Sequence, residues 1–390
     1  MIRRIGIRNY RSLRKVDLEP GLVNVFVGPN AAGKSNFLEV MRFLAHVAGQ
    51  GLSKAVGDRG GFAEIFWKGE TSDNHIEFDL AVDLLIETGK PPIPANYLLN
   101  VEGSQTGRMT VKREFLAIKH GQEFVNVIDM RSGHGEVKHL DGSKAFDPPA
   151  DPSVSMLEFN IPNWAGTAFK TYLQLTHFYE LVPRAMRHLK QFVKAPFLNE
   201  LGDNLIEYLT TLRTAHAESF REIEQVVKDT FPEIEQLIPE PNQTGQVYLS
   251  SKEKFLKRPI SVWNMAGGEL VFIAFVAIIL SPPEFGSPTT CVEEPENHLH
   301  PRLLETLVEL LRQAQIRNIA NGYGASQIFA TTHSPYLVDR LKLDELVVVE
   351  KTQGETHYTR PRDRKDLEEL LSREHLGLGE LWFTGALGGV

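Results

Sequence analysis

Cysteine, long apolar runs and positive charge are all scarce in this chain, and each shortage excludes something. A single cysteine, Cys291, occurs in 390 residues, which rules out a disulfide framework within the chain and fits a reducing cytoplasm. Its place in an apolar run predicts a buried structural thiol. The longest apolar run, residues 270–280, falls well short of the roughly 20 residues that cross a bilayer. Met1-Ile2-Arg3-Arg4 leads into an amphipathic strand and not into a targeting segment. A soluble, cytoplasmic protein with no membrane partner is expected. The net charge is −8, with 42 Lys and Arg against 50 Asp and Glu. That balance excludes coating of nucleic acid by the whole surface and leaves a local basic stripe open. No internal repeat or low-complexity segment is present. The length allows a large core and two or three domains.

What is present is organised around Gly28-Pro29-Asn30-Ala31-Ala32-Gly33-Lys34-Ser35, a G-x-x-x-x-G-K-[ST] phosphate loop. Residues 22–27 read as a buried strand running into it, and residues 37–44 have helical periodicity running out. Gly28 and Gly33 let the backbone fold tightly, so that successive N–H groups and the helix N-terminus point at a β-phosphate. Lys34 then reaches the β/γ oxygens, and the Ser35 hydroxyl can ligate Mg²⁺. The stretch predicts a nucleotide phosphate site.

Along the chain, residues 2–7 and 16–18 read as strands, and the glycine-rich passage 49–61 reads as a loop. Between 64 and 146 short alternating segments, clearest at 76–84, 96–101, 109–118 and 124–130, predict an antiparallel sheet packed on the nucleotide core. Asp147-Pro148-Pro149-Ala150-Asp151-Pro152 is a break. From 164 to about 234 the period becomes helical, and Pro183, Pro196 and Pro232 divide it too finely for a long coiled coil. Residues 268–280 and 301–314 predict helices; 289–292, 327–331 and 346–350 predict strands. Strands alternating with helices around a phosphate loop imply a mostly parallel sheet built from both ends of the chain. The fold class is α/β with an inserted α-helical segment.

Three further motifs carry chemistry. Thr289-Thr290-Cys291-Val292-Glu293-Glu294-Pro295-Glu296 ends a strand in acids. There Glu293 can hold Mg²⁺ through its shell and Glu294 can orient or deprotonate the attacking water. Ala330-Thr331-Thr332-His333-Ser334-Pro335 ends a strand in His333, placed to donate to a γ-phosphate. Asn264-Met265-Ala266-Gly267-Gly268-Glu269 sets glycines at a helix N-terminus, an anion-binding geometry that two chains arranged head-to-tail could bring to one nucleotide.

In this order the motifs resemble the ABC-type ATPase heads of the SMC/RecF class, and more closely the AAA-type branch akin to the ATPase domain of OLD-family nucleases. The likeness covers nearly the whole chain, including Gly60-Gly61-Phe62, residues 65–69 and 202–205, and Leu378-Gly379-Glu380-Leu381-Trp382. It implies a P-loop ABC-ATPase head over residues 1–160 and 258–390, with its antiparallel portion at 62–146 and a helical subdomain inserted at 161–257. Gly28 to Asn36 then correspond to Walker A, and Glu293 and Glu294 close Walker B. Ala266 to Glu269 match the signature acting in trans; Glu296, Asn297 and His298 match the D-loop, and His333 the switch histidine. Arg11 and Ser12 match a loop flanking the base or ribose. The cofactors implied are ATP and Mg²⁺. Two positions depart from the family pattern. Ala266 replaces the signature serine and leaves only backbone N–H groups for the partner's γ-phosphate, and Glu293 replaces the Walker B aspartate. Both are compatible with ATP binding and with slow hydrolysis.

The resemblance implies a regulatory ATPase whose ATP-bound head-to-tail homodimer, or a higher oligomer, controls a separately encoded effector, a Toprim-like nuclease in anti-phage defence. The residues after Tyr358 hold no acid cluster of two-metal type, so cutting is expected elsewhere. The alternatives are a RecF-type DNA-repair clamp and a scaffold that binds ATP without useful turnover. Arg184, Arg187, Lys190 and Lys194 bear on the choice. They are predicted to line one side of a helix whose other side carries Ala185, Met186, Leu189, Phe192 and Val193. That stripe is a partner face, a DNA face or a solvated helix face. A second basic cluster, Arg360-Pro361-Arg362-Asp363-Arg364-Lys365, reads as a solvated turn.

Overall fold

Period-two alternation builds the largest layer of the protein, seen in a computed structural model that describes residues 1–103, 109–241, 245–324, 326–361 and 377–384. The chain divides into two compact units, Met1–Thr176 with Gln327–His333 and Lys342–Val390, and His177–Ser326 with Ser334–Leu341.

In the first unit β1 (Ile2–Tyr10) and β2 (Leu13–Leu18) precede β3 (Val23–Val27). They join an antiparallel sheet with β4 (His75–Leu84), β5 (Ile93–Gly103), β6 (Met109–His120), β7 (Glu123–Arg131), β8 (His134–Lys138) and β9 (Lys144–Phe146). Its order is β2-β1-β4-β5-β6-β7-β8-β9. Every second residue of β4 is buried, so one face meets the core, as the alternation at 76–84 predicts. The other layer is centred on β3, whose five residues are all buried, as a strand covered on both faces requires. Beside it run β16 (Gln327–Thr332) and β17 (Leu346–Thr352), both parallel to β3, and β18 (Glu355–Thr359) forms an antiparallel hairpin with β17.

The phosphate-loop helix α1 (Lys34–Gln50) lies between these layers. On one side Phe37 packs 4.8 Å from Phe26 of β3 and 5.1 Å from Phe329 of β16. On the other Phe43 packs 5.6 Å from Tyr10 and 5.4 Å from Phe78 of the antiparallel sheet. Each buried ring is worth about 1.5–3 kcal/mol of transfer free energy, so α1 ties both layers together. The passage 49–61 is not the predicted loop. α1 continues through Gly49 to Gln50, Gly51 breaks it at a φ of 93°, and α2 (Leu52–Gly57) buries Leu52, Ala55 and Val56. Apolar spacing outweighs glycine content there. α3 (Phe62–Ile65), α4 (Gly166–Gln174) and a short C-terminal helix, Leu378–Phe383, are further helices of this unit.

The second unit begins with β10 (Thr176–Tyr179) and holds α5 (Leu205–Ala215) and α6 (Ala217–Thr230) beside a small sheet. That sheet comprises β11 (Lys190–Gln191), β12 (Ile234–Pro241), β13 (Gln246–Glu253) and β14 (Ile260–Ser261). Its central helix α7 (Gly267–Ile279) is apolar on every side and buries residues 270–277. Phe231 meets Phe272 at 5.4 Å, and Tyr208 Oη on α5 donates to Ser281 Oγ at 2.9 Å. β15 (Thr289–Glu293), α8 (Pro301–Ala320) and α9 (Pro335–Val338) complete it. Cys291 on β15 is buried, as its apolar setting predicts.

Residues 184–194 do not form the predicted helix. A 3₁₀ turn, Ala185–Arg187, is followed by the extended β11, whose Lys190 pairs with Val247. Pro183 and Pro196 bracket the stretch and deny it helical neighbours, so strand pairing wins. Phe192 and Val193, predicted to face a core, are exposed.

Candidate functional site

β3 delivers the chain into the phosphate loop with its direction fixed by parallel strands on both sides. A Cβ on Gly28 would collide with the carbonyl oxygen of Val349 on the neighbouring β17. Gly33 is the N-cap of α1 with a φ of 107°, a left-handed conformation that side chains resist. The first turn of α1 holds no acid, so the positive end of the helix dipole is undiluted. Lys34 is buried, and its Nζ donates to Gly28 O at 2.9 Å and Pro29 O at 3.0 Å. The ammonium is thereby held inside the curl of the loop. Pro29, Asn30, Ala31 and Ser35 stand exposed around it, and Ala32 is buried. Clustered N–H groups with one enclosed cation fit the phosphates of a nucleotide, and the Ser35 hydroxyl offers the hard oxygen that Mg²⁺ prefers.

A chain of hydrogen bonds braces the loop from beneath. Asn36 Nδ2 donates to Ser12 Oγ at 2.6 Å, Ser12 Oγ and Thr356 Oγ1 are 2.6 Å apart, and Thr356 Oγ1 donates to Ala32 O at 2.7 Å. The one proton of Thr356 goes to Ala32, which makes Ser12 the donor between the two hydroxyls. Tyr358 Oη adds a bond to Gly33 O at 3.1 Å. Ser12 thus supports the backbone of the phosphate loop. Its neighbour Arg11 has a φ of 50°, lies 5.8 Å over the Tyr10 ring and comes within 3.9 Å of Glu39. Thr356 and Tyr358 were not singled out from sequence. Their signal was the alternation that follows Gln353-Gly354, a hairpin turn. Arg360 is no solvated residue either: it is buried, donating to Asn24 Oδ1 at 2.6 Å and Asp344 O at 2.8 Å. Buried pairing overrides the local charge pattern there. Residues 362–365 of that cluster lie outside the described residues.

His333 follows β16 directly. The register pairs Thr332 with Val27, so His333 stands level with Gly28 at the start of the loop. The first unit therefore brings together the phosphate loop, Arg11, Ser12 and His333.

The second unit holds the remaining motifs. β15 ends at the half-buried Glu293, and Glu294 takes a φ of 44°. A non-glycine residue in that region stores strain, which the surrounding contacts must hold. Asn297 Nδ2 donates to Glu294 Oε2 at 3.0 Å, and Asn297 N to Glu294 O at 3.0 Å. His298 has a φ of 70°. These turns place Glu293, Glu294 and Glu296 beyond a buried strand, and among the described residues no group of three or more His, Cys, Asp or Glu is gathered closely enough to hold a metal ion by itself. Residues 266–269 and 296–298 are neighbours: a Cβ on Gly268 would come within 2.7 Å of His298 O. Only glycine permits that approach. α7 starts at Ala266, whose N–H donates to Glu269 Oε2 at 2.9 Å. The N–H groups of Gly267 and Gly268 open the helix above it.

Of the four stripe residues, Arg187 supports the signature. Its Nε donates to Val262 O at 3.2 Å and a terminal nitrogen to Met265 O at 2.7 Å. Lys190 pairs with Asp203, while Arg184 and Lys194 are exposed. They do not form one charged face.

Among the described residues no helix is long and apolar enough to cross a membrane. Comparison with known proteins agrees with the site. A family model described as "AAA ATPase domain" matches residues 1–257, and a second AAA-domain model, whose description also names a Type IV TA system, matches 199–339. An OLD nuclease from Thermus scotoductus is 22% identical over 403 residues, covering 97% of this chain and 68% of that protein. The DNA replication and repair protein RecF of Streptococcus uberis is 54% identical over 46 residues, 11% of this chain and 12% of that protein. Among solved structures, an Smc head bound to the C-winged helix domain of ScpA superposes with a TM-score of 0.55 at 14% identity. It covers 92% of this chain and 97% of that one. An Smc head with an extended coiled coil, bound to the C-terminal domain of ScpA derived from Pyrococcus furiosus, gives 0.50 at 11% identity over 95% and 99%. The chain belongs to the AAA ATPase domain family, with a fold similar to that of Smc heads.

Proposed function

We propose that the protein binds and hydrolyses ATP and that ATP joins two copies head-to-tail. The observation that carries this reading is the phosphate loop, with Lys34 enclosed by Gly28 O and Pro29 O at the acid-free N-terminus of α1. The loop N–H groups and Lys34 bind the β- and γ-phosphates, and Asn36, Ser12 and Thr356 keep the loop from flexing. Ser35 and Glu293 are the residues proposed to serve Mg²⁺, which would supply charge neutralisation at the phosphates. Glu294 takes the proton of the attacking water, with its carboxylate steadied by Asn297. His333 donates to the γ-phosphate from the end of β16. Gly267 and Gly268 of a second copy complete the site through their N–H groups, without the hydroxyl that a serine at position 266 would add. Slow turnover follows from that lost donor.

The dimer regulates a separately encoded effector of nuclease type in anti-phage defence, with the inserted segment 161–257 as the recognition portion. The likeness to the OLD nuclease and the Type IV TA description support this role. The test is co-expression of the tag-free chain with the product of its neighbouring gene. Phosphate release, with a complex on a sizing column that changes with ATP, is expected. No turnover, or a complex indifferent to ATP, would overturn the regulatory reading. The 46-residue match to RecF favours a second reading, a clamp on duplex DNA. In that case charge reversal at Arg184 and Lys194 would weaken duplex binding and lower its log–log salt slope by about 0.9 per lost contact.

A further inference from the structure

β13 and β14 pair antiparallel, with Ser250 opposite Ser261 and Ser251 opposite Ile260. The turn between them is fixed at both ends. Lys254 N donates to Glu233 O at 3.0 Å, and Val262 N donates to Leu249 O at 2.8 Å. Lys254, Phe255, Leu256, Lys257 and Arg258 are all exposed on it. Phe255 is 82% exposed, the highest value for a large hydrophobic side chain among the described residues, and Trp263, just past β14, is 54% exposed. Lys252, at the base of the hairpin, pairs with Glu235 at 2.6 Å, while Lys254, Lys257 and Arg258 make no ion pair among the described residues. In a chain of net charge −8 this turn gathers exposed cations.

We propose that this hairpin is a binding site for single-stranded nucleic acid. Lys254, Lys257 and Arg258 contact successive phosphates, and Phe255 and Trp263 offer flat faces on which unpaired bases stack. A duplex hides its base faces, so two exposed aromatics beside exposed cations fit an unpaired strand better. An anionic membrane would be met by one continuous apolar face backed by cations. Here the cations flank Phe255 and Leu256 on both sides, and β14 separates them from Trp263. The site also adjoins the ATPase machinery of its own unit. Trp263 precedes Ala266 by three residues, and Arg187 clamps the carbonyls of Val262 and Met265 on either side of it. A strand stacked on Trp263 therefore touches the segment that positions Gly267 and Gly268. Binding itself needs no nucleotide, so the inference does not depend on the ATPase reading.

The test is fluorescence anisotropy of labelled oligothymidylate with the full chain, without nucleotide. Phe255→Ala with Trp263→Ala is expected to weaken binding by at least about tenfold. Lys254→Glu, Lys257→Glu and Arg258→Glu together are expected to lower the log–log salt slope by about 2, at roughly 0.7 per contact for single strands. Lys34→Ala is expected to bind the oligonucleotide as the parent does. Unchanged affinity in the aromatic variant would overturn the proposal. A duplex bound as tightly as the single strand would reduce the site to a phosphate patch and overturn it as well. Tighter binding of polyglutamate, or of phosphatidylserine vesicles, would assign the hairpin to a protein or a lipid surface instead.

Discussion

The N-termini of α1 and α7 both begin at small residues and both expose backbone N–H groups, but they differ in charge. At α1 the first turn holds no acid and Lys34 is enclosed by the loop. At α7 Glu269 lies in the first turn and its carboxylate already takes the N–H of Ala266. Helix dipoles favour anions at either end-on site by about 0.3–1 kcal/mol, and a carboxylate in the first turn offsets that preference for a second anion. In the proposed reading, α1 captures a polyphosphate alone and α7 joins one that another copy has already captured, so that ATP binding in cis is strong and completion in trans weak.

The largest effect should come from the cation. Lys34→Ala is expected to lower ATP affinity at least a hundredfold, about 3 kcal/mol, because the loop loses its enclosed charge. Calorimetry reads this directly, and affinity within a few-fold of the parent would erase the contrast between the two helices. Next in size is Glu294→Gln, whose amide keeps the shape of the carboxylate and an oxygen for the Asn297 contact but cannot take a proton. Turnover is expected to fall by about 10²–10⁴ while ATP affinity holds, leaving a dimer visible by light scattering with ATP and Mg²⁺. Unchanged turnover would move the base to another acid, Glu296 first.

Gly268→Ala sharpens the comparison from the α7 side. The new methyl meets His298 O at 2.7 Å, so signature and D-loop must separate at an expected cost of about 1–3 kcal/mol. ATP affinity of the isolated chain should stay unchanged, while ATP-dependent dimerisation weakens by roughly tenfold. An equal loss of ATP affinity would mean that α7 already serves its own chain's nucleotide. The smallest effect is expected from Ala266→Ser. A hydroxyl at the N-cap should stabilise α7 by about 0.5–2 kcal/mol and raise the thermal midpoint and the turnover modestly. A drop in either would show that Glu269 already satisfies that helix end better than a serine can.

Much of the site was legible because the phosphate loop joins two strong periodic signals. Residues 22–27 are continuously apolar and residues 37–44 recur at helical spacing, and both elements lie where that pattern puts them. The antiparallel strands at 76–84 and 109–118 were legible for the same reason. Residues 184–194 were not. Their apolar positions fit a helix as a list, but Pro183 and pairing with β13 decide the conformation. Thr356 and Tyr358 escaped notice, and Arg360 was read as solvated, because their partners Ala32, Gly33 and Asn24 lie more than 300 positions away in the chain. No local period encodes such a contact. The exposed Phe255 and Trp263 sit in short segments whose burial only the folded hairpin reveals.

Mixing two inactive variants tests the division of labour between α1 and α7 most directly. Lys34→Ala spoils the loop and spares the signature, and Gly268→Ala does the reverse. In a head-to-tail dimer of one copy of each, the intact loop meets the intact signature at one site. Phosphate release is expected to be near background for either variant alone and to recover on mixing, rising with the fraction of mixed dimer. Silence at every mixing ratio, with both variants folded, would contradict completion of the site in trans.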